Sequence, residues 1–278
     1  MHEGIVQSRW LEANGIRMRW EEAGEGIPVV FVHGIPTSPA LWRHVIPHLD
    51  GVRALAWEMV GYGMSIPEGM GRDISVGRQA EYLKAWLDAL GIERAVLAGH
   101  DLGGGVVQIA AVRHPGLALG LVLTNAIGYD SWPIPSVKMM RALGGVVEHL
   151  PESLFRPIYS SFLRLGHDQR EIASESIEVH WRNYAAHDAA AAFIRQVRSL
   201  NVHDTLAVGD QLPRLDVPAR IVWGEADQFQ KVSYGERFAR DLGTTLQRIP
   251  GGKHFTPEDH PVEIASAVND LVHAVRPR

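Results

Sequence analysis

Hydrophobic positions along the chain form short runs that alternate with segments of helical periodicity. One run, Ile16–Glu22, alternates like a half-buried strand, whereas the others are continuous, as is typical of strands covered on both faces. The continuous runs are Pro28–Val32, Arg53–Glu58, Ala95–Ala98, Gly120–Leu123, Ala219–Trp223 and the short Thr245–Ile249. Helical patterns cover Pro39–His48, Val76–Leu90, Leu102–Arg113, Tyr234–Leu242 and Pro261–Val275. Strands that alternate with helices predict a mostly parallel α/β sheet flanked by helices.

The alternation stops between Ala126 and Val217, where no convincing strand pattern is found. Helical patterns over Glu171–Ala186 and Ala189–Leu200 follow a proline-containing start of this stretch. We interpret the chain as one α/β core that is interrupted by an inserted helical cap. The predicted parts are the first part of the core over residues 1–125, the cap over 126–217 and the second part of the core over 218–278.

Composition narrows the possible classes of function. The chain has 278 residues, 27 Lys+Arg against 32 Asp+Glu and a formal net charge of −5, which argues against a nucleic-acid surface because such a surface needs clustered positive charge. The absence of cysteine excludes disulfides, thiolate nucleophiles and cysteine-based metal sites. Gly103-Gly104-Gly105 lacks the following Lys and Ser or Thr of a phosphate loop. We therefore expect no cofactor and no metal.

The apolar stretches also give an expected location. None of them approaches the ~20 residues that a membrane span requires, and Met1–Gly4 lacks the basic start of a signal peptide. We therefore expect a soluble, cytoplasmic protein with neither a nucleic-acid nor a membrane partner. The sequence leaves open whether it is a monomer or a homodimer.

The most informative segment is Gly99-His100-Asp101-Leu102-Gly103, which lies between a predicted strand and a predicted helix. Its glycines allow a sharp strand-to-helix turn that lifts the middle side chain above the carboxyl edge of the sheet. The same turn with serine in the middle is the nucleophile elbow, and here the middle residue is Asp101. A purely structural turn would have the same pattern, so the interpretation depends on other segments.

Three further segments follow predicted strands. His33-Gly34-Ile35-Pro36 follows Pro28–Val32, at the position from which backbone N–H groups of an oxyanion hole come. Asp227 follows Ala219–Trp223 and can offer a carboxylate, while His254 lies in a Gly-Gly-Lys-His-Phe segment after the last predicted strand. The chain order of Asp101, Asp227 and His254 is that of the α/β-hydrolase triad.

These motifs resemble those of the α/β-hydrolase superfamily over essentially the whole chain. An aspartate at the elbow is similar to the branch that contains haloalkane dehalogenases, haloacetate dehalogenases and epoxide hydrolases. The segment His33–Arg43, with a proline two residues after the glycine, also resembles those enzymes. The resemblance implies a hydrolase with Asp101 as nucleophile, His254 as base and Asp227 as the acid that orients the imidazole.

An aspartate nucleophile suits displacement at a saturated carbon. Its carboxylate is ionised at pH 7, whereas its attack on an acyl carbon would give a reactive anhydride. We expect an alkyl ester on Asp101, which His254 resolves by drawing a proton from water. The backbone N–H groups of Ile35 and Leu102 are the expected oxyanion hole. Asn125 follows Gly120–Leu123, the predicted strand before that of Asp227. Some dehalogenases carry the acid of the triad at this position, but the neutral amide of an asparagine cannot act as a carboxylate.

The leaving group separates the two reactions that this branch suggests. A halide needs N–H donors, which haloalkane dehalogenases typically supply from a tryptophan and an asparagine at the positions held here by Leu102 and Ile35. Haloacetate dehalogenases usually have arginine at the position of Leu102. The sequence therefore favours an epoxide hydrolase that acts on a small apolar molecule, with a dehalogenase as the alternative. A non-catalytic small-molecule receptor also stays open, because fold alone does not fix function.

Epoxide opening requires an acid for the departing oxygen, and the family usually supplies a cap tyrosine. Tyr184 is the first candidate because it lies three residues from Trp181 on one helical face. Tyr159 is the second candidate, and Trp181 is a further possible donor. Core packing is the plain alternative role for each of these side chains.

Overall fold

The computed structural model describes residues 6–276 of the chain. The expectation that the chain starts without a signal peptide rests on Met1–Gly4, which lies outside the described residues. Within them, no helix combines the length and the apolar character that a membrane crossing needs.

Eight strands of the described residues form one sheet. Their bounds are β1 Gln7–Ala13, β2 Ile16–Ala23, β3 Ile27–Val32, β4 Val52–Trp57, β5 Ala95–His100, β6 Ala118–Thr124, β7 Ala219–Gly224 and β8 Leu246–Ile249. They lie in the order β1-β2-β4-β3-β5-β6-β7-β8. The pairs β1–β2 and β2–β4 are antiparallel, and the pairs from β4 to β8 are parallel. The predicted mostly parallel sheet is confirmed.

Helices of the described residues flank this sheet. Their bounds are α1 Val76–Ala89, α2 Leu102–Arg113, α3 Pro135–Ala142, α4 Gly144–Val147, α5 Glu152–Gly166, α6 Arg170–Ala185, α7 Ala189–Ser199, α8 His203–Gly209, α9 Val232–Asp241, α10 Thr256–Asp259 and α11 Pro261–Val275. Of these, α1, α2, α9 and α11 pack against the sheet. β5 is buried at every position, as its continuous apolar run predicts for a central strand.

An edge strand and an early helix differ from the sequence prediction. β1 is missing from it, because this edge strand is exposed or half-buried at nearly every position and has no continuous apolar run. The helix predicted over Pro39–His48 is wrong, since the chain forms two short 3₁₀ turns there, Pro39–Trp42 and Ile46–His48. Pro47 lies between the ends of this stretch and has no backbone N–H to donate to a longer helix.

Residues 126–217, called the cap from here on, contain α3 to α8 and a 3₁₀ turn at Leu212–Arg214 but no strand. Their helical character agrees with the sequence pattern, while the division of the chain into domains stays a prediction. Buried polar contacts tie the cap to the core. Glu258 of α10 accepts a hydrogen bond from Ser176 of α6 at 2.7 Å and pairs with Arg43, so α6 has a fixed anchor beside the sheet.

Candidate active site

Asp101 occupies the sharp turn between β5 and α2, with φ 49° and ψ −121°. This conformation is strained for any residue with a side chain, and such strain is concentrated at functional sites. A Cβ on Gly99 would lie 2.5 Å from the carbonyl oxygen of Gly103, and a Cβ on Gly103 would lie 2.0 Å from that of Val32. Both positions therefore require glycine, and the tight packing they allow holds the Asp101 side chain above the sheet.

The loop after β3 closes on the Asp101 carboxylate. A Cβ on Gly34 would lie 2.4 Å from Asp101 Oδ2, so only glycine lets the loop approach this closely. The backbone N–H of Ile35 donates a hydrogen bond to Asp101 Oδ2 at 3.0 Å. Leu102, the first residue of α2, follows Asp101 directly. The two predicted oxyanion-hole residues thus lie on either side of the nucleophile position.

The loops after β7 and β8 bring Asp227 and His254 to the same edge of the sheet. His254 Nδ1 donates to Asp227 Oδ2 at 2.9 Å, and His254 Nε2 lies 3.8 Å from Asp101 Oδ1. Because the carboxylate of Asp227 can only accept, Nδ1 carries the proton and Nε2 of the neutral ring is a free acceptor. The three residues that the motifs selected therefore form one chain of contacts, in the predicted order.

Four donors hold the Asp227 carboxylate. Its Oδ1 accepts from the backbone N–H groups of Phe229 at 2.7 Å and Gln230 at 3.0 Å. Its Oδ2 accepts from Asn125 Nδ2 at 2.7 Å as well as from His254. Asn125 occupies the position where some dehalogenases carry the acid, and here its side chain donates a hydrogen bond to the acid position, Asp227. This arrangement fixes the carboxylate against the imidazole.

Two more buried histidines support the turns of the site. His100 Nε2 donates to the carbonyl oxygen of His254 at 2.9 Å, and burial lowers the pKa of His100 well below its usual value. His33 Nδ1 donates to the Gly34 carbonyl oxygen at 2.9 Å and its Nε2 accepts from the Met59 N–H at 3.2 Å. Burial lowers the pKa of His33 to about 3. Both rings are neutral, and both hold loops rather than move protons.

Burial dominates the electrostatics of the nucleophile position. It raises the pKa of Asp101, although the charge of His254 and the backbone N–H groups of Ile35 and Leu102 offset part of the effect. For His254, burial alone would lower the pKa, but the carboxylates of Asp227 and Asp101 outweigh it and the net pKa is raised. The imidazole is thus a stronger base than a free histidine.

A small cavity of about 30 Å³ lies between Asp101 and the cap, enough for a water molecule or two. Most of its walls are apolar, and the polar side chains in them are few. A larger apolar cleft of about 240 Å³ lies between α3 and α5. Val137 and Phe162 line both spaces, so the cleft adjoins the inner cavity.

The structure directs the three predicted cap donors away from this cavity. The Tyr159 hydroxyl donates to the Pro36 carbonyl oxygen at 3.1 Å, and the Tyr184 hydroxyl donates to Gln196 Oε1 at 2.6 Å. Trp181 Nε1 donates to a carboxylate oxygen of Glu152 at 3.3 Å. None of the three is among the residues that line the cavity beside Asp101. Burial raises the pKa of both tyrosines well above 10, which makes proton release from either hydroxyl costly.

The cavity instead contains the polar side chains of Trp132 and Gln230, and sequence reasoning missed Gln230. Trp132 Nε1 donates to Thr205 Oγ1 at 2.7 Å. Gln230 lies three residues after Asp227, and only its distance from that acid could have drawn attention to it.

Comparison with known proteins decides the family. A model of the alpha/beta hydrolase fold family matches residues 27–261, which is most of the chain. The chain belongs to the α/β-hydrolase fold family. The match begins with β3 and ends at the start of α11, so it includes the elbow, the acid and the histidine of this α/β-hydrolase.

Relatives cover nearly the whole α/β-hydrolase chain. Haloalkane dehalogenase 2 of Mycobacterium tuberculosis (strain ATCC 25618 / H37Rv) is 29% identical over 283 residues, which span 94% of this chain and 93% of the relative. The crystal structure of an alpha/beta hydrolase fold protein from Burkholderia ambifaria has a TM-score of 0.87 and 27% identity, and covers 97% of this chain and 100% of its own. These likenesses confirm the superfamily, and the name of the first relative agrees with the predicted dehalogenase-like branch.

A further structural neighbour agrees in fold. The crystal structure of haloalkane dehalogenase DbeA from Bradyrhizobium elkani USDA94 has a TM-score of 0.79 at 22% identity, with 97% of this chain and 98% of that chain covered. At this level of identity the likeness carries the fold alone.

Proposed function

We propose that this α/β-hydrolase cleaves the carbon–halogen bond of small haloalkanes through a covalent alkyl ester on Asp101. The observation that carries the proposal is a carboxylate, instead of a serine hydroxyl, on the elbow, with His254 Nε2 at 3.8 Å from Asp101 Oδ1. The apolar cavity around these atoms suits an uncharged alkyl substrate. The names of the relatives, haloalkane dehalogenases, support the same class of reaction.

In the first step, an Asp101 oxygen attacks the carbon that bears the halogen. The new C–O bond forms as the C–X electron pair leaves with the halide, so no proton is transferred. Burial deprives the carboxylate of water, which is why its pKa is raised. The same loss of hydration makes the ionised oxygen a better nucleophile, because less water must be removed before attack.

In the second step, His254 Nε2 takes a proton from a water molecule that attacks Cγ of the Asp101 ester. The charge that develops on the ester oxygen is stabilised by the backbone N–H of Ile35, which already donates to Oδ2, and by that of Leu102. Collapse of this intermediate breaks the bond between Cγ and the alkyl oxygen, which takes the proton from the His254 imidazolium and leaves as the alcohol. The proton left on the new carboxyl group passes to solvent, and the carboxylate is regenerated. Asp227 stabilises the imidazolium during the step.

The epoxide-hydrolase hypothesis, which the sequence favoured, has weaker support. An epoxide oxygen leaves as a basic alkoxide and needs a proton, but the hydroxyls of Tyr159 and Tyr184 donate elsewhere and their pKa values are raised. A halide leaves as a stable anion and needs no acid. Dehalogenation therefore needs N–H donors for the halide but no proton donor, whereas epoxide opening would require a rearranged cap tyrosine.

Cavity size argues for a particular shape of substrate. The space beside Asp101 has about 30 Å³, and the adjoining cleft between α3 and α5 has about 240 Å³. A terminal haloalkane matches this pair of spaces when its halogenated carbon lies at the inner end and its chain extends into the cleft. Branched or internally halogenated substrates are expected to be poorer, because the inner cavity has no room for a second substituent.

The test is a parallel assay of terminal haloalkanes of increasing chain length and of terminal and aryl epoxides, with halide and diol measured separately. We expect stoichiometric halide and alcohol from the haloalkanes. Diol without any halide would identify an epoxide hydrolase instead. Saturable binding with no product from either series would favour the receptor.

Asp227→Asn is expected to lower kcat by about 10²-fold to 10⁴-fold, the usual range for general base assistance. The amide cannot balance the positive charge that His254 gains, and it can stabilise the wrong tautomer of the imidazole. Steady-state halide release measures the loss. Glu225→Gln, an exposed carboxylate two residues away, is the matched control and should keep wild-type activity. Equal activity of Asp227→Asn and the control would remove Asp227 from the mechanism.

Val137→Ala is expected to raise kcat/KM for long-chain haloalkanes by about fivefold, a change of roughly 1 kcal/mol in the barrier. Val137 lines both the inner cavity and the outer cleft, so a smaller side chain widens their connection. Short-chain substrates should change little. Met139→Ala, which alters only the outer cleft at a residue 58% exposed, is the control. A uniform effect on all chain lengths would contradict this entry path.

A further inference from the structure

Gln230 is a buried residue in the wall of the inner cavity, and no contact in the described part of the chain explains its side chain. The residue is 2% exposed, and it lines the same space as Asp101 and His254. Within residues 6–276 its side-chain Oε1 has no hydrogen-bond partner. Buried polar atoms are nearly always paired, so an unpaired amide in a cavity wall indicates a group that awaits a ligand.

The backbone of Gln230 is held by the catalytic loop itself. Its N–H donates to Asp227 Oδ1 at 3.0 Å, and its carbonyl oxygen accepts from Trp223 Nε1 at 2.8 Å. The side chain therefore starts from a fixed point, set by the same carboxylate that orients His254. Only the torsions of the side chain are then left to adjust when a substrate arrives.

The other side-chain N–H groups of the cavity wall are already in use. Trp132 Nε1 donates to Thr205 Oγ1 at 2.7 Å, and the ring of His254 must keep its Nε2 as the acceptor of a water proton. The side chains that flank the nucleophile, those of Ile35 and Leu102, are apolar. Among the residues that line the cavity, the carboxamide of Gln230 is the remaining donor for an anion.

We propose that Gln230 is a catalytic residue that binds the departing halide through its Nε2–H groups. Rotation about the last side-chain bond exchanges Oε1 and Nε2, so either position of the carboxamide can present a donor. As Asp101 forms its bond to carbon, the C–X electron pair leaves with the halide, and the amide donates a hydrogen bond to this anion without giving up a proton. The inference rests on the proposed haloalkane reaction.

The variant Gln230→Met tests this role because it keeps the length of the side chain and removes its donors. We expect kcat/KM for a terminal chloroalkane to fall about tenfold to a hundredfold, the usual effect of a lost hydrogen bond to a charged group. The matching iodoalkane should lose much less, because iodide is a weaker acceptor and a better leaving group. Gln228→Met, an exposed neighbour in the same loop, should match wild type on both.

Halide affinity is a second measurement of this role, and it does not depend on turnover. Sodium bromide and sodium chloride are titrated against the intrinsic tryptophan fluorescence of each protein, since Trp132 lines the cavity. We expect the bromide Kd to rise about tenfold in Gln230→Met and to stay unchanged in Gln228→Met. An equal loss on both haloalkanes with an unchanged bromide Kd would mean a structural role and would overturn the inference.

The wild-type assay distinguishes a failure of the Gln230 role from a failure of the proposed haloalkane reaction. Wild-type halide release together with an unaffected Gln230→Met variant overturns the role of Gln230 and leaves the dehalogenase proposal intact. The absence of wild-type halide release overturns both. A selective loss on the chloroalkane with weaker bromide binding supports both.

Discussion

Asp101→Asn abolishes steady-state halide release, with an expected loss of about 10⁴-fold or more, because a neutral amide oxygen cannot form the alkyl ester. The variant has nearly the same shape, and its side-chain oxygen can still accept the hydrogen bond that Ile35 donates to the Asp101 position. Substrate binding should therefore survive. Halide release and the absence of an alkyl adduct in the intact-protein mass measure the loss of the reaction, and a titration of the variant with a haloalkane measures the binding.

The same variant should be more stable than wild type at neutral pH. The pKa of Asp101 is raised in the folded protein, so its ionised form is less favourable in the fold than in the unfolded chain, and the neutral amide removes that penalty. The gain should fade as the pH falls through the raised pKa, where wild-type Asp101 is itself neutral. Thermal melts at neutral and acidic pH measure this difference. Asp88→Asn, an exposed carboxylate on α1, should show neither effect.

His254→Gln is the second large effect, and it should divide the reaction in two. Attack by Asp101 needs no base, so one equivalent of halide is expected in a burst, whereas kcat should fall by about 10²-fold to 10⁴-fold because water loses its proton acceptor. The alkyl enzyme then accumulates and adds the mass of the alkyl group to the peptide that contains Asp101. His273→Gln, an exposed histidine on α11, is the control.

Continued release of halide and alcohol by His254→Gln at the wild-type rate would contradict the proposed base. The pH dependence of wild type is a further check on the same residue. The raised pKa of His254 is that of the free enzyme, and kcat should fall as the pH drops through the pKa that the imidazole has in the alkyl-enzyme, where protonation removes the base. Esterification removes the charge of Asp101 from beside the ring, which lowers the pKa of His254 in the intermediate and favours the neutral base when it is needed.

The sequence predicted those parts of the fold that local patterns determine. The helices Leu102–Arg113 and Pro261–Val275 have the predicted bounds, because apolar periodicity fills each and a glycine-rich turn or a proline marks its start. β1 was not predicted because this edge strand is mostly exposed or half-buried and has no continuous apolar run. The prolines of Pro39–His48 outweighed its helical periodicity.

The candidate site also has a part that local patterns predict and a part that they do not. Asp101, Asp227 and His254 each follow a strand of the parallel sheet. Because the carboxyl ends of these strands lie at one edge, the positions of the three residues in the sequence predict that their side chains lie close together. The direction of a cap side chain depends on partners far away in sequence. Periodicity could identify the helical face of Tyr184, but it could not predict that Gln196 Oε1 accepts a hydrogen bond from its hydroxyl.

Gln230 had no sequence signal of its own. A glutamine in a loop is usually exposed, and this one is buried because Phe229 and Gln230 both wrap their backbone N–H groups around Asp227. That turn was not predictable from composition or from spacing. Residues that complete an active site in this way are found only when the three-dimensional contacts of the acid are known.

A single turnover in ¹⁸O-labelled water tests the central claim most directly. Enzyme in excess over a terminal haloalkane is quenched after one cycle, and the peptide that contains Asp101 and the alcohol product are analysed by mass spectrometry. The covalent route predicts ¹⁸O in the Asp101 carboxylate and an alcohol that carries the original carboxylate oxygen. An alcohol labelled with ¹⁸O beside an unlabelled Asp101 peptide would mean direct attack by water and would contradict the account.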